Sequence, residues 1–321
     1  MRTLSVEVPH IQYQSIASRF VPKPWQAALF SRRMQTARQL AGVGVLISCN
    51  RIAGADIAIC GGTHKGFLAA MGQSADWKDR RTITLETRSY AQADFVIAHS
   101  RLMQHELTTL YGLDTAKIVL LYPPVDATRF HPAQPSHRLA LRQRYGFGEA
   151  DTVLLFPSSS HARKGLDMIV RALERLQLAN VVLAVVGKPP THSAPFIRYL
   201  GYTHDIESCY QAADYTVLAP AYEPFGLVGV ESVLCGTPVI FPDDTGCTEV
   251  LADAAKITFT PGDLDSLCDA MQRAVQRGDT TANAASLRQK PLSALTYDCS
   301  IHTHVQAIMR LVERLILQMR T

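Results

Sequence analysis

Glu223 and Glu231 stand eight residues apart in the run EPFGLVGVESVLCGTPVI, just after a short strand-like run ending at Leu218. Eight residues rise about 12 Å along a helix, so two carboxylates at this spacing can meet one elongated ligand. Pro224 suits a first helical turn, and the amides of Phe225, Gly226 and Leu227 would be unpaired donors there. Such a terminus attracts phosphate. A second run, SSSHARKGLDMIVRAL, places Arg163 and Lys164 where a small-residue loop meets a helical pattern. Two cations at that point can neutralise a diphosphate, both at rest and as it gains charge as a leaving group. A third, CGGTHKGFLAAMG, sets His64 after two glycines, where it can orient a hydroxyl, share a proton or simply cap a helix. Asp243 and Asp244 are adjacent, but there is no Asp-x-Asp run and no CxxC pair, and no metal is assigned.

These residues need a scaffold that delivers loops to one place. From Ala150 onward, β-rich runs at Thr152 to Phe156, Val181 to Val186, Tyr215 to Leu218 and Pro238 to Phe241 alternate with helical patterns. The helices read as KGLDMIVRALERL, DIESCYQAAD, GLVGVESVLCG and GDLDSLCDAMQRAV. Alternation of this kind implies a parallel sheet covered on both faces. The first half repeats the scheme with candidate strands at Val43 to Ser48, Asp56 to Cys60, Asp94 to Ala98 and Lys117 to Leu121. YAQADFVIA (90–98) and YQAADYTVLA (210–219) echo one another at an offset of 120 residues. The predicted fold is therefore α/β, two Rossmann-like domains joined through YPPVDATRFHPAQPSH, with ligand in the cleft between them.

The run around Glu223 resembles glycosyltransferase family 4, whose members carry Glu, seven residues and a second Glu, usually as E-x-F-G-L followed by C-G-T-P-V. Here Glu223, Phe225, Gly226, Glu231, Cys235, Gly236, Thr237, Pro238 and Val239 match. The resemblance implies a GT-B fold and a retaining, metal-independent hexosyltransferase that uses a nucleoside-diphosphate sugar, UDP-linked, and needs no cofactor. It gives Glu223 the donor-sugar hydroxyls, Glu231 the ribose hydroxyls and Lys164 the diphosphate, with Arg163 beside it. The amides of Phe225, Gly226 and Leu227 would meet the same donor. His64 would stand near the reacting carbon. DDTGCTEVLADAA resembles the family's Gly-Gly-x-x-Glu loop with Cys247 in place of a glycine, and Pro124 stands where the family usually has Gly. The implied organisation is an acceptor domain over 1–128, a nucleotide-sugar domain over 129–300 and a terminal helix, 301–321, returning to the first domain. Two departures stand out: the family's first strand and Gly-rich loop have no match before Pro9, and KPPTHSAPF leaves no room for an expected helix after Val186. The first suggests a shortened beginning. The rival readings are a nucleotide-sugar epimerase of the same fold and a non-catalytic nucleotide-sugar-binding subunit.

Composition narrows the partners. Of 321 residues, 47% are apolar and 19% charged, which fits compact domains and excludes extensive disorder. No apolar run approaches the roughly 20 residues a membrane span needs, and no secretory signal is legible, so the cytoplasm is the expected location. Seven scattered cysteines suggest neither a disulfide framework nor zinc. Residues 1–130 hold 15 Lys and Arg against 9 Asp and Glu, while the remainder hold 17 against 19. A basic first half suits an anionic glycan or lipid-linked acceptor, as in lipopolysaccharide or other envelope glycan synthesis, rather than nucleic acid. Trp25, Leu29 and Phe30 beside Arg32 and Arg33 suggest either a helix lying on an anionic membrane surface or one packed within the first domain.

Overall fold

The computed structural model describes residues 21–42, 44–277 and 282–319. The stretch before Pro9, where the family's first strand and Gly-rich loop find no match, lies outside these. Among the described residues, ten strands form two parallel sheets. The first contains β1 (Ile47–Ser48), β2 (Ile57–Cys60), β3 (Phe95–Ala98) and β4 (Ile118–Leu120), in that order. The second contains β5 (Thr152–Ser158), β6 (Val181–Gly187), β7 (Ile197–Gly201), β8 (Tyr215–Val217), β9 (Val239–Pro242) and β10 (Lys256–Phe259), ordered β10-β9-β8-β5-β6-β7. Continuous apolar runs such as VLLF in β5 and FVIA in β3 are buried along their whole length, as strands covered on both faces require.

Each sheet carries its own core. Ala58, Cys60, Val96 and Ala98 of the first sheet pack against Tyr90, Met103 and Leu107 from the helices Trp77–Gln92 and Arg101–Thr109. The opposite face, Ile57, Phe95 and Ile97, packs against Leu311 and Leu315 of the helix Ile301–Met319. The far end of the chain thus closes the core of its beginning. In the second lobe, Asp214 accepts from Arg138 (2.6 Å), Arg142 (3.0 Å) and the Val153 amide (2.8 Å), which fastens the helix Pro135–Arg144 to the sheet.

Several elements differ from expectation. The first strand is only Ile47–Ser48, and the expected start at Val43 lies outside the described residues. The proline-rich connection gives way to helix at Pro135, because proline is tolerated at a first helical position where no amide partner is needed. Lys256–Phe259 is a strand that its alternating KITF pattern left unread. No helix occurs between Gly187 and Ile197, as the short KPPTHSAPF segment suggested. The echoed segments both run from a helix end through an Ala-Asp turn into a strand at the middle of a sheet.

Candidate functional site

In the second lobe, β5 ends at Ser158 and the chain makes one turn of helix, His161–Lys164, before Gly165 breaks it at φ +78°. A Cβ on Gly165 would lie 1.9 Å from the Ala219 carbonyl oxygen, so only glycine lets the chain pass this close to the loop after β8. The Ala219 amide in turn donates to the Lys164 carbonyl at 3.0 Å. That contact holds Lys164 against the segment carrying Glu223. The Glu223 carboxylate accepts from Lys164 Nζ and lies 3.4 Å from Arg163 Nη1. Lys164 and Glu223 are mostly enclosed, whereas Arg163 is half exposed.

The helix expected around Pro224 begins later. Gly226 adopts φ +84° as the N-cap and Leu227 opens the helix Leu227–Leu234, so Pro224 lies outside the first turn. The left-handed glycine turns the chain before the helix, which leaves Phe225 buried and its amide outside the helical terminus. No side chain caps this terminus. The Phe225 carbonyl accepts from the Cys247 amide at 2.6 Å, and a Cβ on Gly246 would lie 2.0 Å from the Pro224 carbonyl oxygen. Cys247 is fully buried against Gly226 and Gly229, filling space that the facing glycines leave. Glu231, in the second helical turn, accepts from the Tyr210 hydroxyl at 3.0 Å, and burial raises its carboxyl pKa above the ordinary glutamate value.

The first lobe supplies the facing wall. A cleft of about 460 Å³ is lined by Arg51, Thr63 and His64 on one side and by Arg163, Tyr222 and Glu223 on the other. Thr63 caps the short helix His64–Ala70 by accepting from the Gly66 amide at 3.0 Å. His64 Nε2 lies 2.8 Å from Asp79 Oδ1. The Asp79 carboxyl is held below its usual range, chiefly by the Asp76 amide and then by His64. Beneath His64, the fully buried Glu86 accepts from the His64 amide (3.0 Å), Arg51 Nε (2.5 Å) and the Tyr111 hydroxyl.

Tyr222 crosses between the lobes. Its hydroxyl donates to Glu106 at 2.8 Å and accepts from the Thr63 amide at 3.1 Å, and Thr63 Oγ1 also donates to Glu106. Ser100 Oγ reaches the Pro224 carbonyl at 2.7 Å, and Glu249 accepts from the Arg101 amide at 2.8 Å. Arg163, Lys164 and Glu223 therefore form one cluster. His64 faces it across the cleft, while Glu231 lies apart beside Tyr210. Glu86, Glu106, Arg51 and Tyr222 escaped the sequence reading because their partners are distant in the chain: Glu86 is 35 residues from Arg51, and Glu106 is 116 from Tyr222. Among the described residues, no group of three or more His, Cys, Asp and Glu is placed to hold a metal ion.

Two family profiles match the chain: one described as Glycosyltransferase Family 4 over residues 18–129, and one described as glycosyl transferases group 1 over residues 137–290. A probable transglycosylase of Burkholderia thailandensis is 48% identical over 315 residues, covering 97% of this chain and 86% of that protein. Among solved structures, WaaG, described as a glycosyltransferase involved in lipopolysaccharide biosynthesis, superposes with a TM-score of 0.75 at 19% identity, covering 92% of this chain and 85% of that one. Anabaena HepE, solved with UDP and glucose, gives a TM-score of 0.64 at 20% identity over 91% and 83% of the two chains. At these identities the two superpositions concern the fold alone, which is the two-lobed GT-B arrangement.

Proposed function

Because the chain belongs to the glycosyltransferases of the group 1 and family 4 kind, we propose that it moves a hexose from UDP to an acceptor hydroxyl with retention at the anomeric carbon. The observation that carries this reading is the Arg163, Lys164 and Glu223 cluster at the mouth of the cleft. A diphosphate entering there would draw Lys164 and Arg163 as charge-assisted donors and leave Glu223 to accept from sugar hydroxyls. Bonding changes then balance simply: the bond from the anomeric carbon to the phosphate oxygen breaks, the acceptor oxygen bonds to that carbon, and the acceptor proton goes to the leaving phosphate. Lys164 stabilises the charge that develops. His64, with Nε2 directed to Asp79, has Nδ1 left to orient an acceptor hydroxyl. Leu227 and the uncapped turn after Gly226 face the phosphate, and Glu231 takes the ribose hydroxyls. HepE, solved with UDP and glucose, supports the choice of base.

We assign acceptor binding to residues 1–128, nucleotide-sugar binding to 129–300, and a bracing role to the segment from 301 onward. The acceptor is an envelope glycan or its lipid-linked precursor, met on the cytoplasmic side of a membrane. The basic excess in residues 1–130 and the lipopolysaccharide role stated for WaaG support this choice.

Lys164→Ala and Glu231→Ala should each weaken UDP binding by roughly 1.5 to 3 kcal/mol, the scale of a hydrogen bond to a charged group. Calorimetry that finds both affinities unchanged rejects the donor-site assignment. UDP release that requires an acceptor separates transfer from epimerisation.

A further inference from the structure

We propose that Arg51 anchors an anionic group of the acceptor, a phosphate or a carboxylate, against the first-lobe wall of the cleft. This inference rests on the donor reading above, which places the nucleotide on the opposite wall. Arg51 Nε donates to Glu86, but neither Nη nitrogen has a hydrogen-bond partner among the described residues. A carboxylate that engages arginine fully takes two parallel N–H groups. Glu86 takes Nε alone because its second oxygen is already occupied by the His64 amide and the Tyr111 hydroxyl. The planar end of the guanidinium is thereby fixed in direction, and its remaining N–H groups stay available.

Exposure decides what a ligand would meet. The Glu86 side chain is 0% exposed and that of Arg51 is 48% exposed, so the wall presents the cation and encloses its counter-charge. A second observation points to a ligand. Ser89 lines the same cleft, is 1% exposed, and its Oγ has no hydrogen-bond partner. A buried hydroxyl in that state is completed by an ordered water or by a polar atom of a ligand. Gly61 lines the same cleft as Arg51 and His64 and adds no side chain to it. An acceptor anchored by an anionic substituent at Arg51 would bring its hydroxyl toward His64 and the cluster at Glu223.

The test uses the full chain saturated with UDP, which occupies Arg163 and Lys164, and titrates it by calorimetry with inorganic phosphate and, separately, with acetate. Saturable anion binding is expected in the wild type, weakened at least about tenfold in Arg51→Gln, with UDP affinity within about twofold of wild type. Arg51→Lys guards against a folding defect, since it keeps a partner charge for Glu86, yet one ammonium cannot replace the fork; it should lose anion binding to a similar degree. A stronger response to phosphate identifies a phosphorylated acceptor, and a stronger response to acetate a carboxylated one. Anion binding that is absent from UDP-saturated wild type, or equal in all three proteins, overturns the acceptor subsite and leaves the donor reading standing. Wild-type protein that does not bind UDP overturns both.

Discussion

The Glu231 carboxyl is enclosed beside the Tyr210 hydroxyl, and burial favours its neutral form. Its pKa in the folded chain therefore lies above the unfolded value, so the stability it contributes is present below the ordinary glutamate range and is lost as pH rises through the raised value. Ribose hydroxyls donated to Glu231 would favour the ionised form, so nucleotide binding should expel a proton. UDP affinity should accordingly rise as pH rises through the raised Glu231 value. Glu231→Gln should lack that component. Titration of UDP itself is common to both proteins, so identical pH profiles by calorimetry would remove Glu231 from the nucleotide site. That Glu223 and Lys164 serve one donor follows from the family resemblance, whereas their direct pairing is a finding of the structure. Glu86 and Glu106 could not be anticipated, because their burial arises only when Arg51, Thr63, Tyr111 and Tyr222 converge on them.

Elements were legible where one face of the chain is continuously apolar, as in β3 and β5, and illegible where exposure alternates or geometry turns on one glycine. β10 has alternating buried and half-buried residues, and β7 at the sheet edge has no fully buried residue. The start of the Glu231 helix was misplaced because Gly226 takes a left-handed conformation that sequence spacing does not reveal. The helix Lys23–Ala41 combines packing with exposure. Its Gln35 and Arg38 side chains bind the Ala53 and Gly54 carbonyls and Arg38 pairs with Asp56 at 2.7 Å, while Leu29 and Phe30 are half-buried. Trp25 remains 56% exposed under the Arg81 guanidinium, and Arg32 and Arg33 are exposed. This exposed side should bind anionic vesicles at low ionic strength and release them as salt screens the charges. Trp25→Ala combined with Arg32→Ala and Arg33→Ala should lower the co-sedimented fraction severalfold. A wild-type protein that stays in the supernatant at low salt limits the helix to packing.

Across the molecule, Tyr222 is the side chain that ties the loop bearing Glu223 to the helix start bearing His64. Tyr222→Phe removes that tie and leaves Glu106 with Thr63. The loss is on the scale of about 1.5 to 3 kcal/mol for a hydrogen bond to a charged group. Transfer, which needs both walls of the cleft in register, should fall about tenfold or more in kcat/KM, with UDP affinity nearly unchanged. Equal turnover in the variant would mean that the lobes are positioned by their other contacts. Those include the Ser100 hydroxyl on the Pro224 carbonyl at 2.7 Å and the Tyr297 hydroxyl on the Pro123 carbonyl at 3.0 Å. The helix Ile301–Met319 that follows covers Ile57, Phe95 and Ile97. During synthesis these three residues are made early, whereas Leu311 and Leu315 leave the ribosome only after the whole second lobe. At the usual ~5 to 20 residues per second that interval is on the order of 10 to 40 s. For that time the nascent first sheet carries a greasy, uncovered face, and it is then, rather than in the finished protein, that this chain most needs a chaperone.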